Sequence, residues 1–438
     1  MSILGNPENT IMKGQFSCRL LKSCLVVTIV TTAMLIFLEM IAVHNVSLMD
    51  YTIIPIKSEN NYQNTSVIEW RELWKNKKNI SKLGRILFLG EEPAVVKRKK
   101  KYQILVWKYG PKLEKRLIKQ YTNKRIDPFQ ECSVSNCDIT YKDAAIKTAD
   151  IVIIHLHRTR SLAELPPKRG RKDQIWTFLT DESPYHTFMG NSKLSSNGKK
   201  ITIADFNGIF NWSMSYRIDS DIPVPYGRTV VKKNRIHFQE NPKRRDVLIA
   251  VMVSNCKTRN NRFDYIKELQ KYIQADIYGN CGTLKCPGHF SKDCPLLDNY
   301  LFYLSFENSN CDGYITEKLW WNAFHKHSIP IVMGGSNKNY KQLLPPNSYI
   351  NVEDFAGPAS LAQFILRLNE TNEFQNYYKW KTDFEVLNEH GYFQSKAYHY
   401  CRICEAMNYN DKNEKVYYNL QDMWDYHKMC HPAWNIPN

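Results

Sequence analysis

No internal repeat is visible in this chain, and its only low-complexity run is the basic stretch at residues 97–101. A solenoid or other repeat array is therefore excluded. Acid is in short supply: 43 Asp and Glu face 60 Lys and Arg, a formal charge of +17. Basic clusters lie at 97–101, 168–172 and 243–245, but no nucleic-acid-binding motif accompanies them. They are read as solvated loops that help attract an anionic small molecule, with no nucleic-acid partner. Long apolar runs are scarce as well. The one present, 24–43, is broken only by Glu39 and is long enough to cross a bilayer. A cleaved signal peptide is the alternative, but the run is long for that role and no small-x-small cleavage site follows it. Lys13, Arg19 and Lys22 precede the run against Glu8, whereas Asp50, Lys57 and Glu59 follow it. That asymmetry puts the N-terminus in the cytosol and the bulk of the chain in a lumen, a type II arrangement. Glu39 lies near the luminal end, where its side chain can reach the interface.

What is abundant agrees with a lumen. Of twelve cysteines, Cys18 and Cys24 lie at or before the membrane run and are open to palmitoylation. The other ten form an even set, as an oxidising compartment allows. Asn45, Asn64, Asn79, Asn211 and Asn369 each head an N-x-Ser/Thr triplet, and only some of these are expected to carry glycans. The 438 residues are too many for one ordinary core and suggest two domains with appendages. The polar, Asn-rich stretch 44–80 reads as a stem. Residues 85–90, 103–108, 151–155 and 174–179 read as strands of a first domain, and VLIAVMVSN near Asp246 opens a second. The basic stretch 228–245 lies between them as a linker.

The most informative segment is YLFYLSFENSNCDGYITEKLWWNAFHKHSIPIVMGG, from Tyr300 to Gly335. Leu301 to Phe306 has strand propensity, and Glu307 to Ile315 is a polar loop. Thr316 is placed to cap a helix along which Leu319, Trp320, Ala323 and Phe324 recur at helical spacing, before a short buried strand at 329–333. This βαβ unit implies a parallel sheet. Its crevice, at the strand's carboxyl end, suits a phosphate. Lys318 there can neutralise phosphate charge, and Glu317 can accept sugar hydroxyls.

The same residues resemble the α1,3-fucosyltransferases, glycosyltransferase family ten. FENSNCDGYITEKLW, IPIVMGG, PPNSYINVEDFAGPASLAQFILRLN and YYKW are similar to that family's donor-binding region. FLTDESP at 178–184 resembles its acceptor-side motif, NWSMSYRIDSDIPVPYG at 211–227 the segment after it, and VSNCKTRNNRFDYIKELQKYIQADIYGNCG at 253–282 the opening of its donor domain. The motifs keep the family's order over residues 100 to 405, and YGNCGTLKC with Cys294 looks most like invertebrate members.

The resemblance implies an α/β fold of GT-B type, two Rossmann-like domains facing a cleft. It divides the chain into a cytosolic tail 1–23, a transmembrane signal-anchor 24–43, a stem 44–80, an acceptor-binding domain 81–227, a linker 228–245, a GDP-fucose-binding domain 246–395 and a tail 396–438 that returns to the first domain. It implies a Golgi enzyme that moves L-fucose from GDP-fucose to O3 of a GlcNAc in a glycoprotein glycan, with inversion. Glu182 matches the catalytic base, with Asp181 beside it leaving open which carboxylate acts. Arg262 and Lys318 match the diphosphate-binding pair, and Asn308, Tyr314 and Glu317 the other donor contacts. No tightly bound cofactor and no protein-coordinated metal are expected; Mn²⁺ is allowed as a stimulant. Asp219-Ser220-Asp221 is a D-x-D, the spacing that holds Mn²⁺ in metal-dependent transferases, but within the family's segment it reads as structural contacts. Alone, the Cys401-x-x-Cys404 pair is open to redox or zinc chemistry. The resemblance favours disulfides joining Cys132 and Cys137 to Cys401 and Cys404. Cys256 and Cys281 flank a strand-helix-strand stretch and are expected to pair, Cys286 and Cys294 to close a small loop, and Cys311 to join Cys430 by elimination. The competing readings are a metal-dependent nucleotide-sugar transferase using Asp219 and Asp221, and a catalytically silent glycan-binding protein.

Overall fold

The computed structural model describes residues 67–434, apart from 76–79, 94–99, 189–200, 237, 240, 288 and 413–414. The cytosolic tail, the membrane anchor, most of the stem, and Cys18, Cys24, Asn45, Asn64 and Asn79 lie outside the described residues. Among those described, no helix is long and apolar enough to cross a membrane.

Two parallel sheets organise the chain. The first has six strands in the order β2-β1-β3-β4-β5-β6. They are β1 (Tyr102–Val106), β2 (Cys137–Thr140), β3 (Ile151–His155), β4 (Ile175–Thr180), β5 (Trp212–Ser215) and β6 (Ile222–Pro223). Every residue of β3 and of β4 is buried, as expected where helices and loops cover both faces of a parallel sheet and leave no solvent face to alternate with. The second sheet runs β12-β11-β10-β8-β9, from β8 (Ile249–Met252), β9 (Ala275–Tyr278), β10 (Phe302–Phe306), β11 (Ile329–Met333) and β12 (Ile350–Asn351). Pro330 is tolerated inside β11 because the neighbouring N–H, that of Ile329, points to Leu301 O on the β10 side, while β12 pairs only from Ile331 onward. The missing proline N–H therefore faces a side that carries no ladder bond. With helices packed against both sheets, the fold is α/β and GT-B-like.

Helix α1 (Val67–Lys75) falls within the span read as a stem. Trp70 and Trp74, four residues apart on one helix face, are both buried. Trp70 Nε1 donates to Leu344 O at 3.1 Å, and Trp74 stacks on Phe88 at 5.2 Å. The strand expected at 85–90 is instead a helical turn. Ser81 Oγ accepts from Gly84 N, Ser81 O accepts from Arg85 N, and the turn ends at Gly90 in the left-handed region. An apolar run this short carries no periodicity to tell strand from helix, and the serine cap decides. The stretch read as a linker opens in β7 (Gly227–Val231), which pairs antiparallel with β13 (Phe384–Asn388).

Five further helices matter for the site. They are α2 (Gly110–Leu117), α3 (Arg262–Leu269), α4 (Glu317–Leu319, continued by a wider turn Trp320–His325), α5 (Pro358–Thr371) and α6 (His399–Tyr409). Helix α6 lies near the end of the chain but packs into the core of the first sheet. Its Tyr400, Ile403, Ala406 and Met407 join Ile104, Ile151, Leu179 and Met214 there.

Candidate active site

Strand β4 ends at Thr180, and the chain leaves it through Asp181 and a bend at Glu182. Asp181 turns inward and is 5% exposed, whereas Glu182 stays partly open. Asp181 Oδ2 accepts from Arg116 Nη2 of α2 at 2.7 Å. Its Oδ1 lies 3.3 Å from His399 Nε2 and 3.4 Å from His390 Nε2, and its carbonyl accepts from Tyr226 Oη at 2.8 Å. His390 stacks on Tyr226 with ring centroids 3.8 Å apart. Burial alone would raise the Asp181 carboxyl; the Arg116 charge and the two imidazoles outweigh it and hold Asp181 well below the usual carboxylate range. Burial pushes the His399 and His155 imidazoles down to about 3, so both are neutral at physiological pH.

Glu182 faces the second sheet. Tyr314, from the loop after β10, donates its hydroxyl to Glu182 Oε2 at 3.0 Å across 132 residues of sequence. A second bond runs alongside, from Ser309 Oγ to Ser183 Oγ at 2.7 Å, and Ser183 Oγ lies 3.1 Å from His186 Nδ1. Of the two adjacent carboxylates, Glu182 is the one with an open side and a partner from the opposite sheet.

The cations lie at the carboxyl end of β10. Lys318 Nζ donates to Glu307 Oε2 at 3.0 Å, to Glu317 Oε1 at 3.1 Å and to Thr316 Oγ1 at 2.7 Å, so all three of its N–H bonds are engaged. Burial opposes its charge, but the two carboxylates prevail and keep the ammonium protonated far above neutral pH. Thr316 occupies the N-cap position, yet its hydroxyl does not cap; its N–H and Oγ1 both donate to Glu307. Glu307 thus fixes the start of α4 and the position of Lys318. The sequence reading assigned it no role, although FENS places it first in the loop. Gly334, at φ 132° just after β11, makes room for it: a Cβ there would sit 2.6 Å from Glu307 Cβ. Arg262, the first residue of α3, is buried. Its Nη1 donates to Phe306 O at 2.7 Å and its Nη2 to Asn255 O at 3.3 Å. Asn308, partly open, accepts from Ser309 Oγ at 3.1 Å.

The D-x-D carboxylates are taken by protein groups. Arg217 binds Asp219 through Nε at 2.7 Å and through Nη2. Asp221 accepts from Ser213 N, Ser213 Oγ, Tyr417 Oη and Lys415 Nζ. A metal there would have to displace these donors. Asp181, His390 and His399 are close enough together to share an ion, but Arg116 already supplies the cation at that carboxylate.

Disulfides join Cys132 to Cys401, Cys137 to Cys404, Cys256 to Cys281, Cys286 to Cys294 and Cys311 to Cys430. The first two hold α6, and with it His399, against the first sheet. Of the described glycosylation triplets, Asn211 is half-buried, its Nδ2 donating to Lys415 O and its Oδ1 accepting from Arg169 and Trp176 N. Asn369, on α5, accepts from Arg245 Nη1.

Comparison with known proteins matches both halves. The profile described as "Fucosyltransferase, N-terminal" matches residues 99–227, and "Glycosyltransferase family 10 (fucosyltransferase) C-term" matches 242–424. Glycoprotein 3-alpha-L-fucosyltransferase A of Drosophila melanogaster is 34% identical over 303 residues, which cover 67% of this chain and 55% of that protein. The chain thus matches little more than half the length of that relative. The 3-galactosyl-N-acetylglucosaminide 4-alpha-L-fucosyltransferase FUT3 of Bos taurus is 35% identical over 64% of this chain and 73% of its own length. A crystal structure of an alpha1,3-fucosyltransferase with GDP-fucose superposes with a TM-score of 0.44 at 15% identity, over 77% of this chain and 98% of that one.

Proposed function

The chain belongs to glycosyltransferase family 10, the fucosyltransferases, and from that premise we propose that it transfers L-fucose from GDP-β-L-fucose to O3 of a GlcNAc residue in a glycoprotein glycan, with inversion. The observation that carries this is the meeting of Glu182 with the loop of β10. An acceptor-side carboxylate and the Lys318 cluster converge at the carboxyl ends of two parallel strands, where α/β sheets bind ligands.

The acceptor hydroxyl has a pKa far above 7, so its proton must leave as the new bond forms. Glu182 accepts that proton. The acceptor O3 bonds to fucose C1, the bond from C1 to the β-phosphate oxygen breaks, and its electron pair departs with GDP. Attack opposite the leaving group converts the β-linked donor into an α-fucoside. Negative charge grows on the departing diphosphate, and Lys318 and Arg262 offset it. Lys318 has no idle N–H, so the diphosphate takes over one donor now given to Glu317 or Thr316. Glu317, released, is free to accept fucose or ribose hydroxyls. Asn308 borders the same loop. The filled carboxylates of Asp219 and Asp221 favour this reading over the metal-dependent one, and EDTA-resistant transfer tests it.

The same reading puts the protein in the Golgi membrane as a single-pass type II protein, with 24–43 as anchor and the catalytic part luminal. Five disulfides are consistent with an oxidising compartment. Glu182→Gln tests the chemistry. It keeps shape and cannot take a proton at pH 7, so GDP binding should persist while kcat falls on the order of 10²-fold. Near-normal kcat in this variant would defeat the assignment.

A further inference from the structure

Tyr314 is expected by resemblance to contact the sugar nucleotide, but its hydroxyl is committed elsewhere. The ring is 2% exposed, set against Tyr216 at 5.1 Å between centroids and Tyr226 at 6.4 Å. Its one polar bond, at 3.0 Å, goes to Glu182 Oε2. The ring has little freedom to swing toward a nucleotide, and the bond joins a residue of the second sheet to a carboxylate of the first.

We propose that Tyr314 is a positioning residue for the base: it fixes the Glu182 carboxylate in aim, so that the loop which receives the sugar nucleotide also orients the acceptor's proton acceptor. This rests on the assignment of Glu182 as base. The physical case has two parts. First, a phenol that donates to a carboxylate makes a charge-assisted hydrogen bond, which is shorter and stronger than a neutral one and so restrains the carboxylate's orientation. Tyr314 itself stays protonated, since burial and then the Glu182, Glu307 and Glu317 charges push its own pKa well above 10. The bond therefore keeps its direction throughout the working pH range. Second, a carboxylate held by one oxygen leaves the other free to face the acceptor. Oε2 is occupied by Tyr314, and proton transfer falls to Oε1.

The groups whose charge couples to Glu182 come from several elements. They are His186 from its own turn, Tyr216 after β5, Tyr226 before β7 and Tyr392 from the returning tail. The positive charges of Arg259 and Arg262 and the His157 imidazole bear on His186 as well. Of these tyrosines and histidines, Tyr314 is the one within hydrogen-bond distance of the carboxylate in the structure.

The test is Tyr314→Phe in the secreted luminal protein, with three readouts: GDP affinity by calorimetry, kcat, and KM for acceptor. The phenyl ring retains the packing, which the melting temperature checks. The expected result is GDP affinity and acceptor KM within about threefold of wild type and kcat down about tenfold. Weakened GDP or GDP-fucose binding with an unchanged kcat would overturn the proposal and return Tyr314 to the donor. A second variant covers a folding failure. Glu182→Asp withdraws the carboxylate from Tyr314 by one methylene. With that bond already lost, adding Tyr314→Phe to Glu182→Asp should lower kcat by less than about threefold more, and a further tenfold loss would refute the coupling. Full activity of Glu182→Gln would instead bring down the base assignment beneath both.

Discussion

Replacing Asp181 by asparagine removes one negative charge and almost no volume, in a place where the charge is surrounded. The Asp181 and Arg116 side chains are 7% and 10% exposed, joined at 2.7 Å. Arginine cannot shed its proton in a protein. Without the carboxylate, Arg116 is left as a buried cation whose other partners are the Tyr392 hydroxyl at 3.1 Å and the neutral His399 ring at 3.3 Å. Removing one partner of a buried pair costs about 3–5 kcal/mol, because the remaining charge stays desolvated and uncompensated. That is a large fraction of the 5–15 kcal/mol typical of a domain. Removing both charges is different. Asp181→Leu with Arg116→Met replaces the pair by apolar groups of similar size, and such replacements are often neutral. Equilibrium denaturation of the luminal protein should therefore rank wild type and the double variant together, with Asp181→Asn about 3–5 kcal/mol below. At a temperature where Asp181→Asn remains folded, its kcat should stay within about tenfold of wild type, unlike that of Glu182→Gln. A loss below about 1 kcal/mol in Asp181→Asn, or a double variant no more stable than the single one, would refute the argument from buried charge. A dead but fully folded Asp181→Asn beside an active Glu182→Gln would exchange the roles of the two carboxylates.

Two other outcomes follow from the charges. Lys318→Met should weaken GDP binding by at least about tenfold, the worth of one charge-assisted contact, while Asp219→Asn should change it by less than about threefold; calorimetry showing the reverse order would favour the metal-dependent reading. Stability should fall on acidification. His155 and His399 are pushed down to about 3 in the fold from 6.5 when unfolded, so between those values the unfolded chain binds more protons, and each imidazole costs about 1.4 kcal/mol at pH 5.5 relative to neutral pH, roughly 3 kcal/mol together. Denaturation curves that coincide at pH 7.5 and 5.5 would show that these rings are not held neutral.

Much of the fold was legible where local composition suffices. The strands Ile151–His155 and Ile329–Met333 are short runs of β-branched residues bounded by polar or turn residues, and both occur at those bounds. Strand β2 escaped notice because CDIT is only four residues long and contains an aspartate; its place is set by pairing with Tyr102–Leu105, not by its own propensity. The motif residues Glu182, Lys318 and Tyr314 could be listed from the sequence, but not the bond between Glu182 and Tyr314, which depends on how two sheets face each other. The group behind Asp181 was the least legible. Arg116, His390 and His399 come from a helix, a returning strap and a C-terminal helix, none carries a local signal, and only the closed chain brings them together.

The position of α6 in the core of the first sheet sets the order of events at synthesis. Cys132 and Cys137 leave the ribosome 269 and 267 residues ahead of their partners. At about 5–20 residues per second, they wait roughly 13–50 s as free thiols. During that time, the apolar face that Tyr400, Ile403 and Met407 will cover stays open. The leading half of the polypeptide therefore cannot mature on its own as it emerges, whereas two disulfides of the second sheet, Cys256–Cys281 and Cys286–Cys294, close over short loops and Cys311 waits for Cys430 in the tail. Translation order and assembly order thus differ: the half made first keeps an open apolar face until α6, near the end of the chain, has been made.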